Sequence, residues 1–389
     1  MVESVWPEYD DEEIAAVERV LRSGRVNYWN GEEGRAFERE FAAFHRAPYG
    51  VAVANGSVAL ELGLQALGVG PGDEVIVPPR TFVASASSIV MRGATPVFAD
   101  VDRETGNITA ATAEEVLSER TRAIIAVHLA GWPCDMTGLR MLADKHGLYL
   151  IEDCAQAHGA RRDGQPVGSR GDVATFSFCT DKIMSTGGEG GMLLLHDEQA
   201  WRRAWSYKDH GKDWEAVYQR AHPPGFRWVH ESFGTNWRLT EMQSAIGRVQ
   251  LRKLDGWIAR RRTNAALLQK RLAGLPWLRL PRVPKAAEPA WYQFYAFVVP
   301  EQLPNGIERD DVAAALQARG VPVRQGICSE VYRERAFTDR GLGPVSRLPV
   351  AHELGMTSLM IPVDPTLSEA DMHLVAEIFC ANIFPVHRR

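Results

Sequence analysis

The stretch "ATFSFCTDKIMSTGGEGGMLLL", Ala174 to Leu195, sets one lysine, Lys182, between an apolar run and the glycines Gly187, Gly188, Gly190 and Gly191. Such a lysine is either an exposed charge in a glycine-rich turn or a catalytic amine. Other residues able to do chemistry stand in similar places, at the ends of short apolar runs. "VAVA" leads into Asn55-Gly56-Ser57, "EVIVPP" into Thr81-Phe82, and "AIIAV" into His128. "LYLIE" leads into Asp153 with Gln156 just beyond, and "VATFSF" holds Ser177 near its end. At a helix start, Asn55-Gly56-Ser57 could bind an anion, because free N–H groups and the helix dipole both favour negative charge. Taken alone it reads first as a plain N-cap. Asp153 could hold a protonated ring nitrogen through a charge-assisted hydrogen bond, or be a buried structural carboxylate. Phe82 could stack on a flat ring or fill a core, and His128 could face a site or be a hydrogen-bonded structural histidine.

For these residues to meet, the apolar runs must be neighbouring strands. "EVIV", "AIIAV", "LYLIE" and "VATFSF" are nearly continuous rather than alternating in polarity, the mark of strands buried on both faces of a mostly parallel α/β sheet. Helical patterns separate them, as in "SVALELGLQALG" and "TFVASASSIVMRG". In such sheets ligands bind beyond the carboxyl ends of the strands, where the residues above would converge. An opening helix, "DDEEIAAVERVLRSG", has Ile14, Val17 and Leu21 on one face and ends at Ser23-Gly24. Residues 201–237 are rich in aromatic and basic residues and read as irregular loops around a helix or two. A long amphipathic helix follows, with Met242, Ile246, Val249 and Leu254 at helical spacing. It would carry the chain from a large α/β domain, residues 1–250, into a smaller α+β domain, residues 251–389.

An amine, a carboxylate, an aromatic face, a hydroxyl and an anion-ready helix start are together what pyridoxal phosphate requires. Its aldehyde needs a lysine, its ring nitrogen an acidic partner, its phosphate N–H and O–H donors, and its ring face a packing surface.

The chain resembles the sugar aminotransferases of the DegT/DnrJ/StrS family, within the fold type I, aspartate aminotransferase-like, pyridoxal phosphate enzymes. The resemblance runs over nearly the whole chain. It is carried by residues 37–102, from "FEREFAAFHRAPYG" through "VAVANGSVALELGLQALGVGPGDEVIVPPRTFVASASS" to "PVFADVD", and by "IEDCAQAHGA", "FSFCTDKIMSTGGEGG" and "GTNWRLTEMQSAIGRVQLRKLD". It implies a large domain with a mostly parallel seven-stranded sheet flanked by helices. Residue by residue, it implies that Lys182 carries the cofactor covalently, that Asp153 meets the pyridine nitrogen, and that Gln156 lies near the ring and its hydroxyl. It implies Phe82 stacked on the ring, and Gly56, Ser57 and Ser177 on the phosphate. Asn236 is implied to reach the phosphate in a neighbouring subunit's site, which makes the working unit at least a homodimer.

The implied reaction is a two-stroke transamination through pyridoxamine phosphate. Glutamate or glutamine is the donor, and a nucleotide-linked 4-keto-6-deoxy sugar is the first-choice acceptor. A 3-keto sugar, a keto-cyclitol, another fold type I reaction such as that of a lyase, and a non-catalytic cofactor-binding regulator are the alternatives. Relatives with histidine at the lysine position act as dehydratases, so Lys182 favours transamination. Departures lie in the C-terminal region: "GICSEVYRERAF" stands where relatives show a Y-x-P-x-H-like segment, and "SLMIP" stands for "LSLP". They bear on sugar recognition. The 201–237 stretch is either a nucleotide-sugar contact or a packed interface loop, and Glu189 has no role assigned.

The bulk properties of the 389 residues agree. Hydrophobic residues make up 45% and charged residues 24%, as in a globular protein large enough for two domains. A net charge of -5 and a pI near 6.2 argue against a dedicated nucleic-acid binder. No apolar run has the length of a membrane span, and the acidic start "MVESVWPEYDDEE" lacks the pattern of a signal peptide. The cysteines Cys134, Cys154, Cys179, Cys328 and Cys380 form no C-x-x-C pair. Reduced thiols in the cytoplasm, with no metal site, are expected. No H-E-x-x-H, Walker or G-x-S-x-G motif is present.

Overall fold

The computed structural model describes residues 2–381. Two helices open the chain, α1 (Asp11–Ser23) and α2 (Glu33–Phe44). Strands and helices then alternate: β1 (Tyr49–Val53), α3 (Gly56–Ala66), β2 (Glu74–Val77), α4 (Val83–Met91), β3 (Thr95–Phe98), the short α5 (Ala110–Glu114), β4 (Thr121–Val127), α6 (Met136–His146) and β5 (Tyr149–Asp153). A short hairpin, β6 (Arg161–Arg162) and β7 (Gln165–Pro166), precedes β8 (Val173–Ser177) and β9 (Gly191–Leu195).

Seven of these strands form one sheet in the order β1-β9-β8-β5-β4-β2-β3. Only β9 runs against its neighbours; the pairs β8-β5, β5-β4, β4-β2 and β2-β3 are parallel. Every residue of β2, β8 and β9 is buried, because helices cover both faces, and this is why those strands read as unbroken apolar runs. Reversal of β9 has a direct consequence: its first residue, Gly191, pairs with the last residues of both β1 and β8, Val53 and Ser177. The glycine run is thereby delivered to the same sheet edge as the strand ends.

The aromatic and basic stretch carries α7 (Glu198–Tyr207) and α8 (Trp214–Tyr218) within irregular backbone. Next comes α9 (Glu241–Leu272), started by a capping box between Thr240 and Gln243. Its Leu254 and Ile258 pack with Phe37, Phe41 and Phe178 beneath the large sheet. Its Ala265, Leu268 and Leu272 pack with Trp277, Phe294 and Phe379 in a second core. The boundary expected after residue 250 thus falls inside one continuous helix. The second core is built on β10 (Leu278–Arg279), β12 (Phe294–Val298) and β13 (Ser358–Ile361), with α10 (Arg309–Gln317) and α13 (Glu369–Cys380) against them. Between these, β11 (Ala287–Glu288) joins the β6-β7 hairpin, and the short α11 (Arg335–Thr338) and α12 (Pro349–Thr357) complete the chain's elements.

The reading of α1 needs correction. Ile14 and Leu21 are 63% and 55% exposed, and the inward face is Glu13, Ala16 and Val20. Glu13 decides the rotation. Its carboxylate accepts from Asp10 N–H at 3.1 Å, from Gln250 Nε2 at 2.7 Å and from Lys253 Nζ at 2.8 Å. A buried carboxylate with three donors ties α1 to α9 more firmly than an exposed apolar stripe could.

Candidate active site

At the end of β1, the Asn55 side chain accepts the Val58 N–H at 3.0 Å and caps α3. Among the described residues, the Gly56 and Ser57 N–H groups meet no acceptor, so the first turn of α3 presents two free donors. The end of β8 lies against them. A Cβ on Gly56 would sit 2.7 Å from Ser177 Cβ, so only glycine lets the Ser177 hydroxyl stand beside these donors. Gly191 is forced likewise: its Cβ would lie 2.4 Å from the Asn55 carbonyl oxygen. Gly187 and Gly188 have φ of +86° and +118°, a region that suits residues without a Cβ. The glycines after Lys182 therefore serve close approach and turning, and Glu189 is held among them by its backbone. Its carbonyl accepts from Thr186 Oγ1 at 2.6 Å and Gln243 Nε2 at 2.8 Å, while its side chain is exposed.

Asp153 closes β5 and is 5% exposed. One carboxylate oxygen accepts from Ser85 Oγ at 2.7 Å and the other from Ala155 N–H at 3.1 Å. Ser85 is in turn 2.7 Å from Thr81 Oγ1, so the α4 start that carries Phe82 also steadies Asp153. Burial pushes the Asp153 carboxyl up from its ordinary range; the hydrogen bonds from Ser85 and Ala155 and the nearby charge of Lys182 oppose this. Phe82 is the N-cap residue of α4 and its ring is 63% exposed, an apolar face left uncovered beside a buried carboxylate. Gln156 Oε1 accepts the Ala130 N–H at 2.7 Å, which fixes its amide.

His128 does not face this edge. It is fully buried, its Nδ1 accepts the Cys134 N–H at 2.9 Å and its Nε2–H donates to Glu152 at 3.0 Å. Glu152 also accepts the N–H groups of Gly168, Arg170 and Gly171. The structural reading of His128 prevails because every polar atom of the pair is used internally.

Lys182 Nζ is 3.0 Å from Asp181 Oδ2 and 5.2 Å from the centre of the Tyr292 ring. The Tyr292 hydroxyl donates to the same Asp181 oxygen. Burial alone would raise the Asp181 carboxyl, but the Lys182 charge and the Tyr292 hydrogen bond outweigh it and hold it below the ordinary range. Trp6 Nε1 donates to the Lys182 carbonyl at 2.7 Å, and its ring packs edge-on against Trp257 at 4.9 Å. Gly56, Ser57, Ser177, Asp153 and Lys182 are thus brought to one edge of the sheet. Asn236 is exposed and lies alongside the end of β1, where the next residue's carbonyl, that of Trp237, accepts the Ala54 N–H at 2.9 Å; among the described residues no hydrogen bond joins its side chain to the site residues.

Four participants were missing from the sequence reading, Ser85, Asp181, Tyr292 and Trp6, and Thr81 was named there without a role. Asp181 was detectable as the neighbour of Lys182, and Thr81 and Ser85 as an i, i+4 hydroxyl pair. Trp6 and Tyr292 lie 176 residues before and 110 after Lys182, and nothing local marks them.

Comparison with known proteins gives a consistent result. The model of the DegT/DnrJ/EryC1/StrS aminotransferase family matches residues 7–379. The chain is 37% identical over 366 residues to a dTDP-3-amino-3,4,6-trideoxy-alpha-D-glucose transaminase of Streptomyces venezuelae, covering 94% of this chain and 90% of that one. It is 37% identical over 374 residues to a UDP-N-acetyl-3-dehydro-alpha-D-glucosamine 3-aminotransferase of Acidithiobacillus ferrooxidans, covering 95% and 93%. Its structure is similar to that of an aminotransferase from Psychrobacter cryohalolentis, with a TM-score of 0.95, 51% identity, and coverage of 96% and 97%.

Proposed function

The chain belongs to the DegT/DnrJ/EryC1/StrS aminotransferase family of pyridoxal-phosphate-dependent transaminases, and on that premise we propose that it transfers an amino group from glutamate or glutamine to the keto group of a nucleotide-linked sugar in amino sugar biosynthesis. Pyridoxal phosphate, when bound, supplies an aldehyde that captures amines and a ring that stores an electron pair. The residues at the sheet edge fit that group. The free N–H groups of Gly56 and Ser57 and the Ser177 hydroxyl offer donors to a phosphate beside a cradle that a Cβ would fill. The exposed face of Phe82 offers a stacking surface, and Gln156 a fixed amide near the ring.

Asp153 is the observation that carries the reading. A carboxylate buried in this way costs free energy unless a positive group joins it, and a protonated pyridine nitrogen is such a group. Asp153 would hold that proton while Ser85 and Ala155 N–H keep its own orientation. Lys182 would hold the cofactor covalently. Once displaced by the donor, the Lys182 Nζ would take the proton from the donor's Cα and deliver it to the former aldehyde carbon, on the far side of the transferred nitrogen. Asp181 and Tyr292 would receive the freed lysine head between the two half-reactions, and Trp6 would limit water at that face.

The Streptomyces venezuelae and Acidithiobacillus ferrooxidans relatives are both named for an amino group at carbon 3 of a nucleotide sugar, which supports a 3-keto acceptor. We further take the working unit to be a homodimer in which Asn236 serves the neighbouring site. No helix among the described residues is long and apolar enough to cross a membrane.

The test uses purified protein loaded with pyridoxal phosphate. Glutamate or glutamine should abolish the visible absorbance of the lysine-bound cofactor, and a 3-keto nucleotide sugar should restore it. Restoration by 4-keto sugars or cyclitols alone would move the acceptor to those classes. A spectrum unmoved by every amino donor would end the transaminase reading of this site.

A further inference from the structure

Arg80 is 1% exposed, yet among the described residues no carboxylate lies within ion-pair distance of it. Its Nη1 donates to Ser329 Oγ at 2.6 Å, and its guanidinium lies 5.2 Å from the Tyr295 ring and 5.8 Å from the Phe297 ring. Its Nε and Nη2 have no hydrogen-bond partner among the described residues. The charged groups that act on it most are Arg279 and Arg309, both cations and each already matched, Arg279 to Glu104 at 3.4 Å and Arg309 to Asp310 at 2.6 Å. A guanidinium does not escape such a site by losing its proton, and an unpaired buried charge is costly. The fold therefore carries a positive charge with no carboxylate beside it and, at Nε and Nη2, two donors with no well-placed acceptor among the described residues; the Tyr295 hydroxyl acts on the guanidinium from its ring side.

A cavity of about 20 Å³ adjoins this group, lined by Arg80, Glu104, Gly106, Trp132, Gln293 and Tyr295 among others. Trp132, 5% exposed, also has an unpartnered Nε1–H. Gly106, at φ +71°, keeps the Arg80 Nε side open, since a Cβ there would lie 3.5 Å from that nitrogen. Unsatisfied donors on two sides favour an anion: the Glu104 carboxylate that also lines the cavity is already matched to Arg279 at 3.4 Å, and the Arg80 charge is not matched. Size narrows the choice: a single water needs roughly 10–15 Å³ of such space, and about 20 Å³ suits a monatomic anion better than the bulkier phosphate or sulfate. We propose that Arg80 and Trp132 form a buried halide site, with chloride as the ordinary occupant.

The site joins two parts of the molecule. Arg80 leads directly into Thr81 and Phe82, while Tyr295 and Phe297 belong to β12 and Ser329 to the loop after β12 and α10. A bound halide would therefore brace the segment that carries Phe82 and, through Thr81 and Ser85, Asp153.

The full-length protein should show a melting temperature that rises saturably when gluconate is replaced by chloride or bromide at constant ionic strength. Arg80→Met should lose that rise, and Trp132→Phe should move its midpoint to higher halide. Crystals grown in bromide should give an anomalous peak between Arg80 Nε and the Trp132 indole, a readout that holds if the Arg80 variant fails to fold. Equal stability in chloride and gluconate, or no anomalous peak at Arg80 in the wild-type protein, would overturn the proposal in favour of a water molecule.

Discussion

At the scale of single residues, Lys182 and Asp153 differ in what their loss should do. The Lys182 side chain makes its polar contact with Asp181 at a partly open position, so Lys182→Ala should leave the melting temperature nearly unchanged. Turnover should fall by at least about 10²–10⁴-fold, the range for a lost proton-transfer group, and the absorbance of lysine-bound cofactor should vanish. A variant that still transaminates at near wild-type rate would remove Lys182 from the mechanism. Asp153 is instead embedded, with Ser85 and Thr81 behind it. Of this site, the residues proposed to meet cofactor and substrate were visible in the sequence because a functional group at a strand end leaves a local trace. The groups behind them were not: Tyr292 and Trp6 come from distant segments, and only the folded chain shows that they meet Lys182.

At the scale of elements, α2 ends at His45, which shows how a buried capping residue makes a helix end pH-sensitive. His45 is fully buried against Phe41 and Phe176, with Nδ1 2.9 Å from the Val167 carbonyl. Burial lowers its pKa from 6.5 to about 4. The folded state thus keeps it neutral, while the unfolded chain takes up a proton near pH 6.5. Stability from this residue is present above that pH and is lost as pH falls from about 6.5 to about 4, by on the order of 3 kcal/mol. Denaturant unfolding across that window should show this slope, and His45→Phe, which cannot take up a proton, should flatten it. An equal slope in the variant would place the effect elsewhere, with fully buried His158, also depressed by burial, as the next residue to test. Elements also show where pattern reading fails. The sheet strands were legible because burial on both faces demands apolar residues throughout. The rotation of α1 was not, because Glu13 is held by Gln250 and Lys253, partners more than 230 residues away.

At the scale of the whole molecule, shared sites give the sharpest prediction. Asn236 is exposed, and in the stretch of chain before it Phe226, Trp228 and Phe233 are 75%, 81% and 100% exposed, apolar surface of the kind that marks an interface. If Asn236 serves the neighbouring site, Asn236→Ala should weaken cofactor binding. Mixing it with Lys182→Ala and allowing subunits to exchange should then restore activity that neither homodimer has, because one of the two sites in a mixed dimer carries neither defect. No gain on mixing would place Asn236 outside the partner's site.

What the sequence determined by itself was the class of sheet, the order of the strand-end residues and the cofactor they suit. Each of these depends on local composition: apolar continuity within a strand, a hydroxyl or carboxylate after it, glycines where backbone must pass. What tertiary structure alone decided was which of those residues face one another and which groups are left unsatisfied. His128 turns inward, the glycines press on Asn55 and Ser177, and Arg80 is buried without a counter-charge. These outcomes follow from contacts between segments far apart in the chain, whose burial and hydrogen bonding are settled only when the segments pack.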